Sequence, residues 1–244
     1  MPKARGDSFK HLQLKDKIMK LIGTLDSPYV RRVAISLNYY GIHFKHEPMS
    51  VFSNLERFKS INPVLKAPTL VLDDQTILLD SSLILDYFET EQQNKRKLMP
   101  ETRQERSRSL RQIGLALAAC EKTIQIVYER NLRPIEKQHE PWVSRVCGQL
   151  QAAFAELEKD IIEWPLNTTE DSIDQASITV AVAWSFNQKM LGDGTADIRY
   201  PFLTRYVSEI EQLTGFVTVP PEDQHNLEDA KQKRMRLERA LFRS

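Results

Sequence analysis

The chain divides into a first part with mixed strand-like and helical periods of apolar residues and a second part with the helical period alone, and this division limits the possible folds more than any other feature. From Ile18 to Glu89, short apolar runs of strand-like period alternate with stripes of helical period. Beyond a polar linker at Gln92–Lys97, only the helical period remains. Because 244 residues are enough for two modest domains, the pattern predicts an α/β domain followed by an all-helical domain.

The α/β region predicts four strands and three helices in the order βαβ-α-ββα. The expected strands are Ile18–Gly23, His43–Glu47, Thr69–Leu72 and Thr76–Leu79. The expected helices are Pro28–Tyr40, Leu55–Lys59 and one that begins at Asp80-Ser81 and reaches about Glu89. Gly41 follows the first helix at the position where a left-handed residue commonly ends a helix.

The second region predicts four helices. Two long ones carry apolar stripes at alternating spacings of three and four, from Leu110 to Val127 and from Val143 to Ile161. A third, Gln175 to about Lys189, is apolar on nearly every side, so we expect it at the centre with Asp174 as its N-cap. Phe202–Leu213 completes the set.

Composition excludes several classes of protein. The net charge is +1, which gives no field for nucleic acid or an anionic membrane, and no apolar run approaches the roughly 20 residues of a membrane span. The N-terminus resembles no signal sequence, so we expect a cytoplasmic protein. The chain has two cysteines and five scattered histidines, a pattern that supports neither a disulfide framework nor a metal site.

Three short stretches carry candidate binding groups. Ser27 precedes Pro28 at the start of the first helix, where a hydroxyl is usually a plain N-cap. Pro68 directly precedes a strand, and a cis Ala67–Pro68 bond there would point the main chain of Ala67 outward, toward a peptide-like ligand. Asp80-Ser81 lies at a helix N-terminus that favours a carboxylate, although plain capping again explains the pair.

These motifs together resemble those of the cytosolic glutathione S-transferases. The resemblance rests on S-P-Y-V-R, N-P-x-x-K-A-P-T-L and L-D-S-S-x-I-x-x-Y, and it extends from about Met19 to Pro220. It implies an α+β/α fold, in which a thioredoxin-like, glutathione-binding domain precedes an all-helical domain. The expected segments are a polar extension (1–17), the thioredoxin-like domain (18–91), the helical domain (98–220) and a charged tail (221–244).

The resemblance also implies site residues and partners. Ser27 matches the catalytic serine of the serine-type classes, Ala67 and Pro68 the main-chain clamp, and Asp80-Ser81 the pair that holds the γ-glutamyl end of glutathione. Lys66 is expected at the glycyl carboxylate. Glutathione is the implied co-substrate, without a metal, and the implied protein is a homodimer.

The same likeness implies conjugation of a small hydrophobic electrophile, or peroxide reduction, by the glutathione thiolate. Tyr29 competes with Ser27 as hydrogen-bond donor, although its ring is expected to turn elsewhere. Tyr128, Cys120 and Arg111 are candidates for the wall of the electrophile site, with core packing as the simpler explanation. A non-catalytic adaptor of the same fold, or a glutathione-dependent isomerase or dehalogenase, remains an alternative.

Overall fold

The computed structural model describes residues 18–91, 96–192 and 199–221. Its strands are β1 (Lys20–Ile22), β2 (Lys45–Glu47), β3 (Thr69–Val71) and β4 (Ile77–Leu78). Its helices are α1 (Pro28–Tyr39), α2 (Leu55–Ile61), α3 (Ser81–Glu91), α4 (Arg103–Leu132), α5 (Glu140–Glu163), α6 (Gln175–Leu191), α7 (Pro201–Ile210) and α8 (Thr214–Val217). A 3-10 turn at Ile135–Lys137 joins α4 to α5.

The four strands form one mixed sheet in the order β2-β1-β3-β4. β1 pairs in parallel with β2 and antiparallel with β3, and β4 closes the hairpin on β3. The predicted βαβ-α-ββα order is therefore confirmed, as is the helical character of the second region. The extension at 1–17, nearly all of the tail at 221–244 and most of the linker lie outside the described residues.

Helix α1 follows the local rules that the sequence indicates. Pro28 occupies its first turn, where a missing N–H costs nothing. Gly41, with φ +70°, follows its C-terminal end, and the N–H of Ile42 bonds back to the carbonyl of Leu37. Val30, Val33 and Leu37 are fully buried, so α1 is a core helix.

The helical region is assembled around α6, which is buried along most of its length. The Asp174 carboxylate accepts a hydrogen bond of 2.8 Å from the N–H of Ser177, which confirms the predicted N-cap. α7 ends at Ile210 rather than at Leu213, because the chain turns there into the short helix α8. Neither that helix nor the 3-10 turn is predicted from the sequence, since both are too short to show a period.

Two buried polar contacts join α1 to the helical region. Arg31 is only 3% exposed and forms a bidentate ion pair with Glu211. Its Nη1 and Nη2 donate to the two carboxylate oxygens at 2.8 and 2.6 Å. Its Nε also donates to the carbonyl of Val219 at 2.9 Å. One turn further along α1, Ser36 donates to the side-chain oxygen of Gln175 at the start of α6. Helix α1 is thus attached to the helical region at two positions along its axis.

Two negative findings apply to the described residues alone. None of their helices is long and apolar enough to cross a membrane. No group of three or more His, Cys, Asp or Glu side chains among residues 18–91, 96–192 and 199–221 is arranged to hold a metal ion.

We predict that Arg31→Met lowers the free energy of unfolding by about 2 to 3 kcal/mol, because the change leaves the Glu211 carboxylate without its cation. Chemical denaturation measures this value. Arg205→Met is the matched control, since Arg205 pairs with Glu209 at 3.0 Å on the exposed surface of α7 and should cost at most about 0.5 kcal/mol. Equal effects of the two substitutions would contradict the proposed anchoring role of Arg31.

Candidate active site

A cavity of about 570 Å³ lies between the α/β region and the helical region. On one side it is bounded by the start of α1 and by the turn before β3, and on the other by α4 and the C-terminal part of α6. Its volume suits a small organic molecule. Ser27, Lys66 and Ala67 line it together, so the structure brings three of the six predicted site residues to one wall.

Ser27 occupies the N-cap position of α1, but its hydroxyl does not cap the helix. The carbonyl of Ser27 accepts the first helical hydrogen bond, from the N–H of Arg31 at 2.9 Å, whereas the side chain makes no capping hydrogen bond. The expectation that this hydroxyl serves as a cap is therefore wrong. Because no helix amide engages it, the hydroxyl is available to a ligand in the cavity.

The Ala67–Pro68 peptide bond is cis, as predicted. The turn is held from behind by Thr69 and Asn62, whose side chains donate to the carbonyl of Lys66 at 2.7 and 3.4 Å. Neither the N–H nor the C=O of Ala67 has a hydrogen-bond partner among the described residues. Pro68 itself is buried behind the turn and does not line the cavity.

Asp80 and Ser81 lie at the start of α3 and do not line the cavity either. The Asp80 carboxylate accepts from the N–H groups of Ser82 and Leu83 at 2.9 and 3.4 Å, so it does cap α3. Both hydrogen bonds end on Oδ1 of Asp80, and its Oδ2 accepts none from the described residues. The Ser81 hydroxyl accepts from the Arg32 guanidinium at 3.3 Å.

Tyr29, the second residue of α1, is also among the residues that line the cavity, and the expected direction of its ring stays a prediction. Burial, with a smaller contribution from Cys120 and Glu121, raises the pKa of the Tyr29 hydroxyl well above its usual value. Asp80 also contributes to this shift, which places the start of α3 within electrostatic range of the same wall. Tyr29 therefore stays protonated at neutral pH.

Part of the cavity lining is apolar. Phe52 and Tyr128 meet edge to face, with ring centroids 5.7 Å apart, and Phe186 and Met190 of α6 also line the cavity. Tyr128 thus lines the site, and core packing does not explain it. Phe186 and Met190 were missed, although their spacing of four on a helix places them on one face.

The two other candidates for this wall are excluded by their contacts. Arg111 pairs with Asp160 at 2.9 Å and with Glu156 at 2.8 Å, so it binds α5 and does not line the cavity. Cys120 is 2% exposed and packs in the core.

A thioredoxin-like half beside a helical half, with a cleft between them, defines the glutathione S-transferase fold. Residues 21–96 match the family model for the glutathione S-transferase N-terminal domain. The uncharacterized GST-like protein YibF of Escherichia coli K12 is 27% identical over 206 residues, which cover 84% of this chain and 100% of that protein.

Solved structures agree with these matches. A glutathione transferase family member from Pseudomonas fluorescens Pf-5, with bound glutathione, is 28% identical with a TM-score of 0.73, over 84% of this chain and 100% of that one. A glutathione S-transferase from Methylobacterium radiotolerans, in complex with glutathione sulfonate, shares the fold at 22% identity with a TM-score of 0.77, over 84% and 96% of the two chains. This chain is therefore similar to glutathione S-transferases over most of its length, and its residues 21–96 match their N-terminal domain.

We predict that the two thiols differ in reactivity with Ellman's reagent at pH 8. Burial raises the pKa of Cys120 to about 12, so this thiol carries almost no thiolate and is shielded, whereas Cys147 is partly exposed. The native protein should release one equivalent of dye, and the second only after denaturation. Cys147→Ser should abolish the native reaction, and a native release of two equivalents would show that Cys120 is accessible.

Proposed function

We propose that this protein is a glutathione transferase of the serine type. The observation that carries the proposal is the free hydroxyl of Ser27, which shares one cavity wall with the unpaired main chain of Ala67. A peptide backbone paired with Ala67 would form strand-like hydrogen bonds with the turn before β3. Its cysteine thiol would then lie within reach of the helix that begins after Ser27.

The energies are sufficient for thiol activation. A free thiol of pKa about 8.5 must drop by roughly two units to be mostly ionised at neutral pH, which corresponds to about 2.7 kcal/mol. A hydroxyl hydrogen bond to a charged sulfur supplies about 1.5 to 3 kcal/mol. The N-terminal end of α1 adds about 0.3 to 1 kcal/mol. Since serine forms no disulfide, this arrangement favours attack by the thiolate of bound glutathione on a second substrate.

The remaining predicted residues would hold the two ends of the tripeptide. Lys66, in the cavity wall, is the proposed partner of the glycyl carboxylate. The unused oxygen of Asp80 is the proposed acceptor for the γ-glutamyl ammonium group, and Ser81 is the proposed donor to the carboxylate beside it. The apolar part of the lining, with Phe52 and Tyr128, suits a small hydrophobic electrophile or organic peroxide.

We predict that Ser27→Ala raises the pKa of bound glutathione by about one to two units, because the thiolate loses its hydroxyl donor. The ultraviolet absorbance of the bound thiolate as a function of pH gives this pKa. The rate of conjugation with an aryl halide at pH 6.5 should fall about tenfold to a hundredfold in parallel.

Tyr29→Phe is the matched control for Ser27→Ala, because it removes the neighbouring hydroxyl of the same wall. It should leave the pKa of bound glutathione at the wild-type value. If Tyr29→Phe raises this pKa and Ser27→Ala does not, the donor is Tyr29. A wild-type protein that binds glutathione but conjugates no electrophile would overturn the transferase proposal.

We also propose that the protein forms a homodimer through α3 and α4. Leu83 of α3 is 64% exposed and Leu110 of α4 is 52% exposed. Residues of both helices, Leu110 included, also line a cavity of about 160 Å³, so the surface beside this leucine is indented. A second copy that covered both leucines would remove them from water.

We predict that the double variant Leu83→Glu/Leu110→Glu is a monomer. Light scattering coupled to size-exclusion chromatography should give 28.3 kDa for the variant and about twice that mass for the wild type. Ile162→Glu is the control, because Ile162 is a comparably exposed apolar residue, 54%, on α5. It should remain dimeric. A dimeric double variant, or a monomeric wild type, would contradict the proposed interface.

A further inference from the structure

Arg31 and Arg32 are neighbours on α1 and are equally buried, at 3% exposed each, but their partners differ. Arg31 pairs with the Glu211 carboxylate through two short bonds. Arg32 forms no ion pair with any described residue. Its Nη1 donates to two serine hydroxyls, those of Ser81 and Ser82, each at 3.3 Å, and its Nε has no hydrogen-bond partner within residues 18–91, 96–192 and 199–221.

A buried cation with hydroxyl partners alone is costly to the fold. Burial lowers the pKa of the Arg32 guanidinium to about 10, so the group keeps its charge at neutral pH. Asp80 is near enough to oppose this shift, but its carboxylate is directed to the amides that begin α3. The positive charge of the Arg32 guanidinium, close to the first turn of α3, is therefore only partly balanced by negative charge.

The hydrogen bond from Arg32 to Ser81 has a definite direction. A guanidinium has no acceptor, so Arg32 donates and the Ser81 oxygen accepts. The proton of the Ser81 hydroxyl remains free to be donated in turn. A hydroxyl that accepts from a cation is polarised and donates more strongly, which favours an anionic acceptor. The amides at the start of α3, an 11-residue helix, favour the same sign of charge.

We propose that Arg32 is a positioning residue that selects the α-carboxylate of the ligand's γ-glutamyl group through the Ser81 hydroxyl. This inference rests on the proposed function, which assigns glutathione to this groove. The end of the ligand is a zwitterion, and the site presents the two complementary charges: the Asp80 oxygen for the ammonium group, and Arg32 behind Ser81 for the carboxylate. The α-carboxylate of glutathione then balances the charge of Arg32, as the Glu211 carboxylate balances the charge of Arg31.

The test is a thermodynamic cycle that compares two ligands and two proteins. The ligands are glutathione and 4-aminobutyryl-cysteinylglycine, which keeps the amine but lacks the α-carboxylate. Calorimetry gives the dissociation constants for the wild type and for Arg32→Met, a substitution that keeps an unbranched side chain but removes the guanidinium and its charge. We expect Arg32→Met to weaken glutathione about tenfold or more and to change the affinity for the analogue less than about threefold.

Two further variants keep the test decisive if Arg32→Met folds poorly. Ser81→Ala removes the hydroxyl that transmits the effect, so the preference for glutathione over the analogue should shrink to a similar extent. Arg32→Lys keeps the charge and should retain most of that preference. A merely structural role of Arg32 would weaken both ligands equally.

The outcomes separate this inference from the proposed function. Equal losses for the two ligands, or a full preference in Ser81→Ala, would overturn the role of Arg32 while conjugation by the wild type still stood. A wild type that bound neither ligand would overturn the proposed function and the inference with it. Loss confined to glutathione in both Arg32→Met and Ser81→Ala would establish the role of Arg32.

Discussion

The burial of helix α1 is the constraint on which the rest of this structure depends. Val30, Val33 and Leu37 bury one side of it in the core, while Arg31 and Ser36 attach it to the helical region. A helix held in this way cannot shift without breaking a buried ion pair. The contacts of α1 with the core and with the helical region therefore fix the start of this helix. They thereby determine the position of Ser27 in the wall of the cleft.

The two regions of the protein contribute different kinds of groups to the walls of the cleft. Its main-chain wall comes from the turn before β3, where neither polar group of Ala67 has a hydrogen-bond partner in the part of the chain that the structure describes. Its apolar wall comes largely from α4, which buries one face, and from α6, which is buried along most of its length; both line the cavity with a few side chains such as Tyr128 and Phe186. A polar tripeptide and an apolar second substrate would thus be held by different halves of the molecule.

The sequence was sufficient for those features that local rules determine. Pro28 at the first turn, Gly41 after the last and Asp174 as an N-cap are short-range effects, so α1 and α6 began where expected. The motif around Ala67 identified the cis turn before the structure showed it. The bounds of the two domains and the ligand roles of the predicted site residues stay predictions.

What the sequence could not give was the set of partners that each side chain meets in three dimensions. Nothing local distinguishes Arg31 from Arg32, yet Glu211 lies 180 residues beyond one of them and no described carboxylate pairs with the other. Ser27 is a typical cap by its neighbours and does not cap in the fold. Arg32 and Ser27 thus both lack the partner that their sequence neighbours would suggest. A binding site needs such groups, because a side chain without a partner inside the protein can bind a ligand.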